Sequence, residues 1–196
     1  MSKTRNKKVL VISGPTGSGE STLTSEIIKK YPIFQRLVTA TTRKPRGKEK
    51  NRIDYYFFSK KKFENEIRAG NIIEHTYIAN RDVYYGTYKK DLENKFKKGF
   101  CVIVNPDIVG AKYFKKYYKA TTIFIMPGSI KNIKSRLLKR QPDISEEELR
   151  RRIENAKNEI KNEKNAYDFI VVNREGKIKN STENIVKIIK REGYSI

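Results

Sequence analysis

Gly14-Pro15-Thr16-Gly17-Ser18-Gly19-Glu20-Ser21-Thr22 follows the apolar run Val9 to Ile12 and precedes Leu23, Ile27 and Ile28 at helical spacing. Gly14, Gly19 and Ser21 fall on the phosphate-loop pattern G-x-x-x-x-G-K-[ST]. Glycines in such a turn let successive backbone N–H groups point inward at phosphate oxygens, and the helix that follows adds its positive end. Ser21 or Thr22 supplies a hydroxyl able to ligate magnesium. Glu20 stands where the pattern has its lysine. Exchanging a cation for an anion beside phosphates costs on the order of 4 kcal/mol per contact at about 4 Å, for an effective dielectric near 20. Phosphoryl transfer depends on neutralising spread negative charge, so low activity is expected unless another cation substitutes.

These residues need a scaffold, and the rest of the chain supplies its pattern. Apolar runs at Val9 to Ile12, Phe100 to Val104, Thr122 to Met126 and Phe169 to Val172 read as core strands of a mainly parallel sheet. Helix-compatible stretches at 21–31, 88–98, 108–118, 130–139, 146–165 and 182–192 alternate with them, which predicts an α/β domain. Residues 36–87 break the rhythm. Strand-like Ile53 to Phe58, Ile72 to Ala79 and Val83 to Tyr85 surround one helical stretch at 60–69, which predicts a small β-rich insert. Ser145 with Glu148 forms a capping-box pattern for the 146–165 helix, and Glu146, Glu147 and Glu148 each have an arginine four residues on.

The 196 residues, 37% of them apolar, suffice for one compact domain. The formal charge of +22 attracts anions without specifying which. Its lysines are scattered over nearly every segment, so a solvated basic surface is the reading, and nucleic acid is not expected as a partner. Tyr117 and Tyr118 beside Lys115 and Lys116 have no recognised nucleic-acid module around them. The basic start, Met1 to Lys8, lacks a secretory cleavage pattern and no apolar stretch reaches membrane-spanning length, which leads to the expectation of a cytoplasmic protein without a membrane partner. The lone Cys101, in an apolar run, reads as a buried small hydrophobe. His75 has no metal-ligand set around it in the sequence and reads as a pocket-wall neighbour or surface residue.

Thr41-Thr42-Arg43-Lys44-Pro45-Arg46, Asp54-Tyr55, Ile73-Glu74 and Tyr84-Tyr85-Gly86-Thr87 occur in that order. With the glycine loop, Arg136-Leu137-Leu138-Lys139-Arg140 and Phe169-Ile170-Val171-Val172-Asn173, they make the chain resemble guanylate kinases over almost its whole length. The resemblance implies a P-loop nucleotide kinase fold: a parallel sheet flanked by helices, a small β-rich insert for the nucleoside monophosphate and a helical lid. It implies a single domain over 1–196, with core 1–35 and 88–196, insert about 36–87 and lid about 136–155. The implied reaction passes the γ-phosphoryl group of ATP, with magnesium, to GMP. Gly14, Pro15, Thr16, Gly17, Ser18, Gly19, Ser21 and Thr22 would hold ATP, Ser21 the magnesium, and Asn173 the adenine side.

On the acceptor side, the family matches are Thr39, Arg43, Arg46, Tyr55, Glu74, Tyr85, Thr87 and Asp107. Arg43 and Arg46 are forked cations separated by a stiffening proline, suited to a terminal phosphate, and Tyr55 and Tyr85 add hydroxyl donors. A solvated basic turn followed by core tyrosines is the plainer alternative. Guanine carries N1–H and N2–H₂ donors side by side, so one carboxylate, matched by Glu74, accepts both, whereas adenine has an acceptor at N1. Arg140 and Arg152 match arginines that close over the phosphates, with Arg136 in the same lid. Arg43, Arg140 and Arg152, with Glu20 as the departure, form the implied catalytic set. Asn105 in place of an acid, Val109 in place of a Gln and Gln141 in place of a Gly are further departures. A binding module that keeps GMP or a phosphorylated partner without turnover therefore stands as the alternative.

Overall fold

The computed structural model describes residues 7–196, so most of the basic start lies outside the described residues. The first strand, β1 (Val9–Ser13), is buried at every position and sits at the centre of a five-stranded sheet. Its neighbours are β7 (Cys101–Val104) and β8 (Thr121–Pro127), with β2 (Phe34–Arg36) and β9 (Phe169–Asn173) at the edges. Every pairing in this sheet is parallel. A parallel sheet is covered on both faces, which is why its inner strands are unbroken apolar runs.

Leu10 and Ile12 pack on one face with α1 (Glu20–Lys30) and α7 (Ile178–Arg191), through Leu23, Ile27, Ile185 and Ile189. Val9 and Val11 pack on the other with α3 (Lys89–Lys97) and α4 (Ile108–Tyr118), through Leu92 and Phe114. This alternation is the period-2 geometry of a strand with two buried faces. Cys101 is buried in β7, as its apolar setting predicts.

A second, four-stranded sheet of mixed direction rises from the first, in the order β4-β3-β6-β5: β3 (Ala40–Thr41), β4 (Tyr56–Phe57), β5 (Ile72–Ile78) and β6 (Val83–Tyr88). Helix α2 (Lys60–Arg68) starts at Ser59, whose hydroxyl accepts from the N–H of Lys62, and packs Phe63 against Ala40, Phe58 and Ile72. Helices α5 (Ile130–Arg140) and α6 (Glu146–Asn162) share a separate apolar cluster of Ile133, Leu137, Ile144, Leu149 and Ala156. Among the described residues no helix is long and apolar enough to cross a membrane.

The element boundaries differ from expectation where local chemistry intervenes. The strand predicted over 53–58 is only Tyr56–Phe57, because Arg52 takes a left-handed φ of 66° and Asp54 folds back to accept from the N–H of Lys50. Helix α6 stops at Asn162 and a single 3-10 turn, Lys164–Ala166, follows it. The last helix begins at Ile178 rather than 182, since Ile178 packs against the core. Strands β2 and β3 went unpredicted, being three and two residues long, too short for periodicity to show.

Candidate active site

The glycine loop lies at the carboxyl end of β1, where ligands of parallel α/β sheets collect. Gly17 and Gly19 take φ of +77° and +94°, which a side chain would strain. At Gly14 space is the constraint, since a Cβ there would lie 2.4 Å from the carbonyl oxygen of Ile125. Helix α1 has no side-chain cap at Gly19, so its first N–H groups remain open to an anion. The hydroxyl of Ser18 is buried and has no partner among the described residues. A polar group left so costs about 1–3 kcal/mol, an arrangement suited to a loop that a ligand completes.

Two side chains hold the loop from behind. Arg136 donates Nη1 to the carbonyls of Gly17 (3.0 Å) and Ser18 (2.8 Å) and Nη2 to that of Asn173 (3.2 Å). Asn173 is buried and donates its amide to the Ser18 carbonyl at 2.7 Å. Both residues thus position the loop backbone. Thr16 and Gly17 are partly exposed, Pro15 is buried beneath the turn, and Ser21 and Thr22 are exposed on the first turn of α1.

Where the two sheets meet, a cavity of about 200 Å³ is lined by Thr39, Tyr55, Glu74, Tyr85, Thr87 and Asp107 among others. The structure therefore brings these six predicted residues together. Glu74 accepts from the Thr87 hydroxyl at 2.5 Å, and burial pushes its carboxyl up from the ordinary value, with Asp107 adding to the push. A Cβ on Gly110 would sit 2.9 Å from Glu74 Oε2 and 2.6 Å from Pro106 Cβ, so only glycine lets α4 lie against this carboxylate. Asp107 caps α4 by accepting from the N–H groups of Val109 and Gly110, and its other oxygen accepts from Thr76 at 2.5 Å. His75 points outward from β5 and is exposed, with its ring 6.4 Å from that of Phe63.

Arg43 sits beside this cavity with its guanidinium 5.0 Å from the ring centre of Tyr55, and its Nε donates to the Tyr85 hydroxyl at 3.2 Å. Its fork is filled by Glu49, at 2.7 and 3.0 Å. Glu49 also accepts from the N–H of Arg46 at 2.7 Å, and the Arg43 bond holds its carboxyl below the ordinary range. The site thus displays a planar anion already seated on the forked cation. The side chain of Arg46 is exposed at the rim.

A second cavity, about 230 Å³, is lined by Glu20, Ser21, Arg36, Leu37, Thr39, Glu49, Asp54, Tyr55 and Asn105. Leu37, Thr39, Tyr55 and Asn105 line both cavities, so the space beside the glycine loop adjoins the space beside Glu74. Asn105 is anchored by its amide to the Ile12 carbonyl (2.8 Å) and the Thr24 hydroxyl (3.1 Å). Burial pushes the Glu20 carboxyl up to about 8 and Glu159 adds to the push, while Arg36 and Arg140 oppose it. Glu159 is itself pushed to about 7, by burial and then by Glu163 and Asp107.

The folded chain therefore keeps a proton on Glu20 between pH 4.5 and about 8, where the unfolded chain has released it. The unfolded state binds fewer protons in that window, so stability falls as pH rises through it, and Glu159 acts in the same direction. Replacing Glu20 by Gln should flatten this loss. Thermal midpoints at about pH 5.5 and 8.5 should separate by several degrees less in Glu20→Gln than in the unsubstituted chain.

The lid arginines are held in different ways. Arg140 is exposed at the end of α5, close enough to act on Glu20. Arg152 is tied to Glu148 at 2.8 Å, and Glu148 also holds Arg151 and, at 2.9 Å, Arg81 from the turn between β5 and β6. Arg151 and Arg152 lower the Glu148 carboxyl to about 2. Ser145 caps α6 as predicted, accepting from the N–H of Glu148 at 3.2 Å. The side chain of Glu148 turns to the arginines instead of closing the capping box.

Arg36, Glu49, Glu159 and the loop-holding role of Arg136 were not found from sequence. For Glu49 a signal existed, an acid three residues after Arg46 within a basic turn. The family model for guanylate kinase matches residues 6–192. The guanylate kinase of Porphyromonas gingivalis is 40% identical over 156 residues, covering 78% of this chain and 82% of that protein. That of Clostridioides difficile is 36% identical over 185 residues, covering 94% and 87%. The crystal structure of guanylate kinase from Anaplasma phagocytophilum superimposes with a TM-score of 0.73 at 27% identity, covering 97% of this chain and 89% of that one. The match extends from the glycine loop through the insert to the last helix, and the chain belongs to the guanylate kinase family of ATP-dependent nucleoside monophosphate kinases.

Proposed function

We propose that this chain transfers the γ-phosphoryl group of ATP to GMP, giving ADP and GDP, at a rate held down by Glu20 and Asn105. The observation that carries the proposal is that the two cavities adjoin, sharing Leu37, Thr39, Tyr55 and Asn105 in their walls. One end offers open N–H groups at the start of α1, and the other the Glu74 carboxylate in a cavity whose Tyr55 and Tyr85 carry Arg43 beside them. A donor phosphate on the loop would lie next to an acceptor phosphate on Arg43, Tyr55, Tyr85 and Arg46 across these shared walls, which is the positioning that phosphoryl transfer requires. Glu74 would read the guanine edge, with Thr39 and Thr87 as hydroxyl contacts and Asp107 behind them. Residues 36–87 act in this reading as the acceptor insert and about 136–155 as the lid, with Arg140 and Arg152 closing over the phosphates.

The donor set suits magnesium: the Ser21 hydroxyl and the Asn105 amide oxygen are hard, neutral oxygen ligands in a cavity roomy enough for bound waters. When bound it neutralises phosphate charge. Ser21 would hold it, and the loop N–H groups with Asn173 and Arg136 behind them would orient the donor phosphates.

The second reading, a module that binds GMP or a phosphorylated protein partner without turnover, is favoured by Glu20 and Asn105 alone. Substrate choice tests the acceptor assignment. Glu74→Gln removes one acceptor facing the paired N–H donors of guanine, so KM for GMP should rise about tenfold or more while AMP is little affected. Equal losses for GMP and AMP in steady-state assays would remove Glu74 from the recognition role.

A further inference from the structure

We propose that Arg36 is a catalytic cation of this site, entering the phosphate channel from the end of β2 and supplying the charge that the phosphate-loop pattern assigns to a lysine. The proposal rests on the kinase reading above and names the residue that lets the site work with Glu20 in place. Among the described residues lining the cavity of about 230 Å³ beside the glycine loop, Arg36 is the one cation, facing the carboxylates Glu20, Glu49 and Asp54.

The sheet order explains how it gets there. β2, β7 and β1 are successive parallel strands, so their carboxyl ends share one edge, and the loop leaves from the end of β1. Arg36 is the last residue of β2 and pairs with Ile103, two residues before Asn105. Neighbouring strands lie about 4.8 Å apart, so two spacings, about 10 Å, separate β2 from β1, and Arg36 reaches the cavity it shares with Glu20 and Ser21 across the end of β7. Its Nη2 donates to the Asp54 carbonyl at 3.0 Å, which fixes the fork, and Nε and Nη1 make no hydrogen bond among the described residues. A guanidinium so anchored keeps planar donors free for phosphate oxygens, as bidentate recognition requires. Arg36 also acts on the Glu20 carboxyl, which places the two charges within reach of each other.

A competing role is a latch, in which Arg36 merely ties β2 to the Asp54 turn and so supports Tyr55. The two roles separate by their dependence on residue 20. Arg36→Met and Arg36→Lys are to be compared in the unsubstituted chain and in a Glu20→Lys background, with kcat, KM for GMP, thermal midpoint and calorimetric ATP affinity as readouts. A catalytic cation predicts that Arg36→Met lowers kcat at least thirtyfold with KM for GMP changed less than about threefold, and weakens ATP binding at least tenfold. In the Glu20→Lys background the same change should cost less than about threefold in each. Arg36→Lys, which keeps the charge, should retain about a tenth of the rate or more.

Equal losses in both backgrounds, or losses confined to KM for GMP and the thermal midpoint, would overturn the proposal in favour of the latch. Should the unsubstituted chain phosphorylate no GMP, the kinase reading fails, yet the ATP-affinity arm still decides Arg36: loss of ATP binding on Arg36→Met supports it, and unchanged binding overturns it.

Discussion

Glu20→Lys is expected to raise kcat for GMP phosphorylation at least tenfold. Glu20 is the first residue of α1 and lines the channel between the donor loop and the acceptor clamp. Protonation spares the site a full negative charge, because burial and Glu159 push the Glu20 carboxyl to about 8. Even so, a neutral carboxyl contributes no attraction to the transferring phosphoryl group. Removing one well-placed donor from such a group costs about a hundredfold to a thousandfold in other enzymes, and Arg36 recovers part of that here. A tenfold gain is about 1.4 kcal/mol of transition-state stabilisation, well within what one restored cation supplies. The gain should be larger above pH 8, where Glu20 loses its proton and the unsubstituted chain gains repulsion. Steady-state rates across about pH 6 to 9 measure both parts, and an unchanged rate would show that Glu20 is not the limiting defect.

Arg43→Met should lower kcat/KM for GMP by a factor of about a hundred or more. The side chain is 9% exposed, and its guanidinium lies over Tyr55 and Phe57 and gives both prongs of its fork to Glu49. An acceptor phosphate would replace Glu49 on that fork with the same planar geometry, so the loss falls on an interaction worth about 2–4 kcal/mol. Methionine keeps the packing volume against the rings and removes only the charge and the donors. It also leaves Glu49 without its charged partner, with only the Arg46 N–H on its carboxylate, so a lower thermal midpoint should accompany the kinetic loss. An effect confined to stability, with kcat/KM held once the protein is folded, would return Arg43 to a structural role.

The two halves of the site were legible to different depths. The loop could be read from Gly14, Gly19 and Ser21 because its geometry is local: left-handed φ at Gly17 and Gly19, and a helix start within nine residues. The acceptor residues were legible through the resemblance to guanylate kinases, and Thr39, Tyr55, Glu74, Tyr85, Thr87 and Asp107 do line one cavity. What sequence could not show is which charges meet. Glu20 feels Glu159 from α6 and Arg36 from β2, residues that only the sheet order brings together. Arg36 was further hidden as one of 44 Lys and Arg in a chain whose basic residues are scattered. Asn173 was matched to an adenine-side contact; what sequence did not show is that its amide bonds Ser18 across 155 positions and supports the loop backbone. The capping pattern at Ser145 was legible as a helix start, but the Glu148 carboxylate turns to Arg151 and Arg152, where both partners of each bond are charged, instead of to a single backbone N–H.

The most direct test is formation of ADP from ATP and magnesium by the unsubstituted chain, with GMP, with AMP and without acceptor, at fixed moderate salt. The account predicts slow ADP formation that requires GMP and yields GDP in equal amount. Tight GMP binding with no GDP formed would contradict it and leave a binding module in its place.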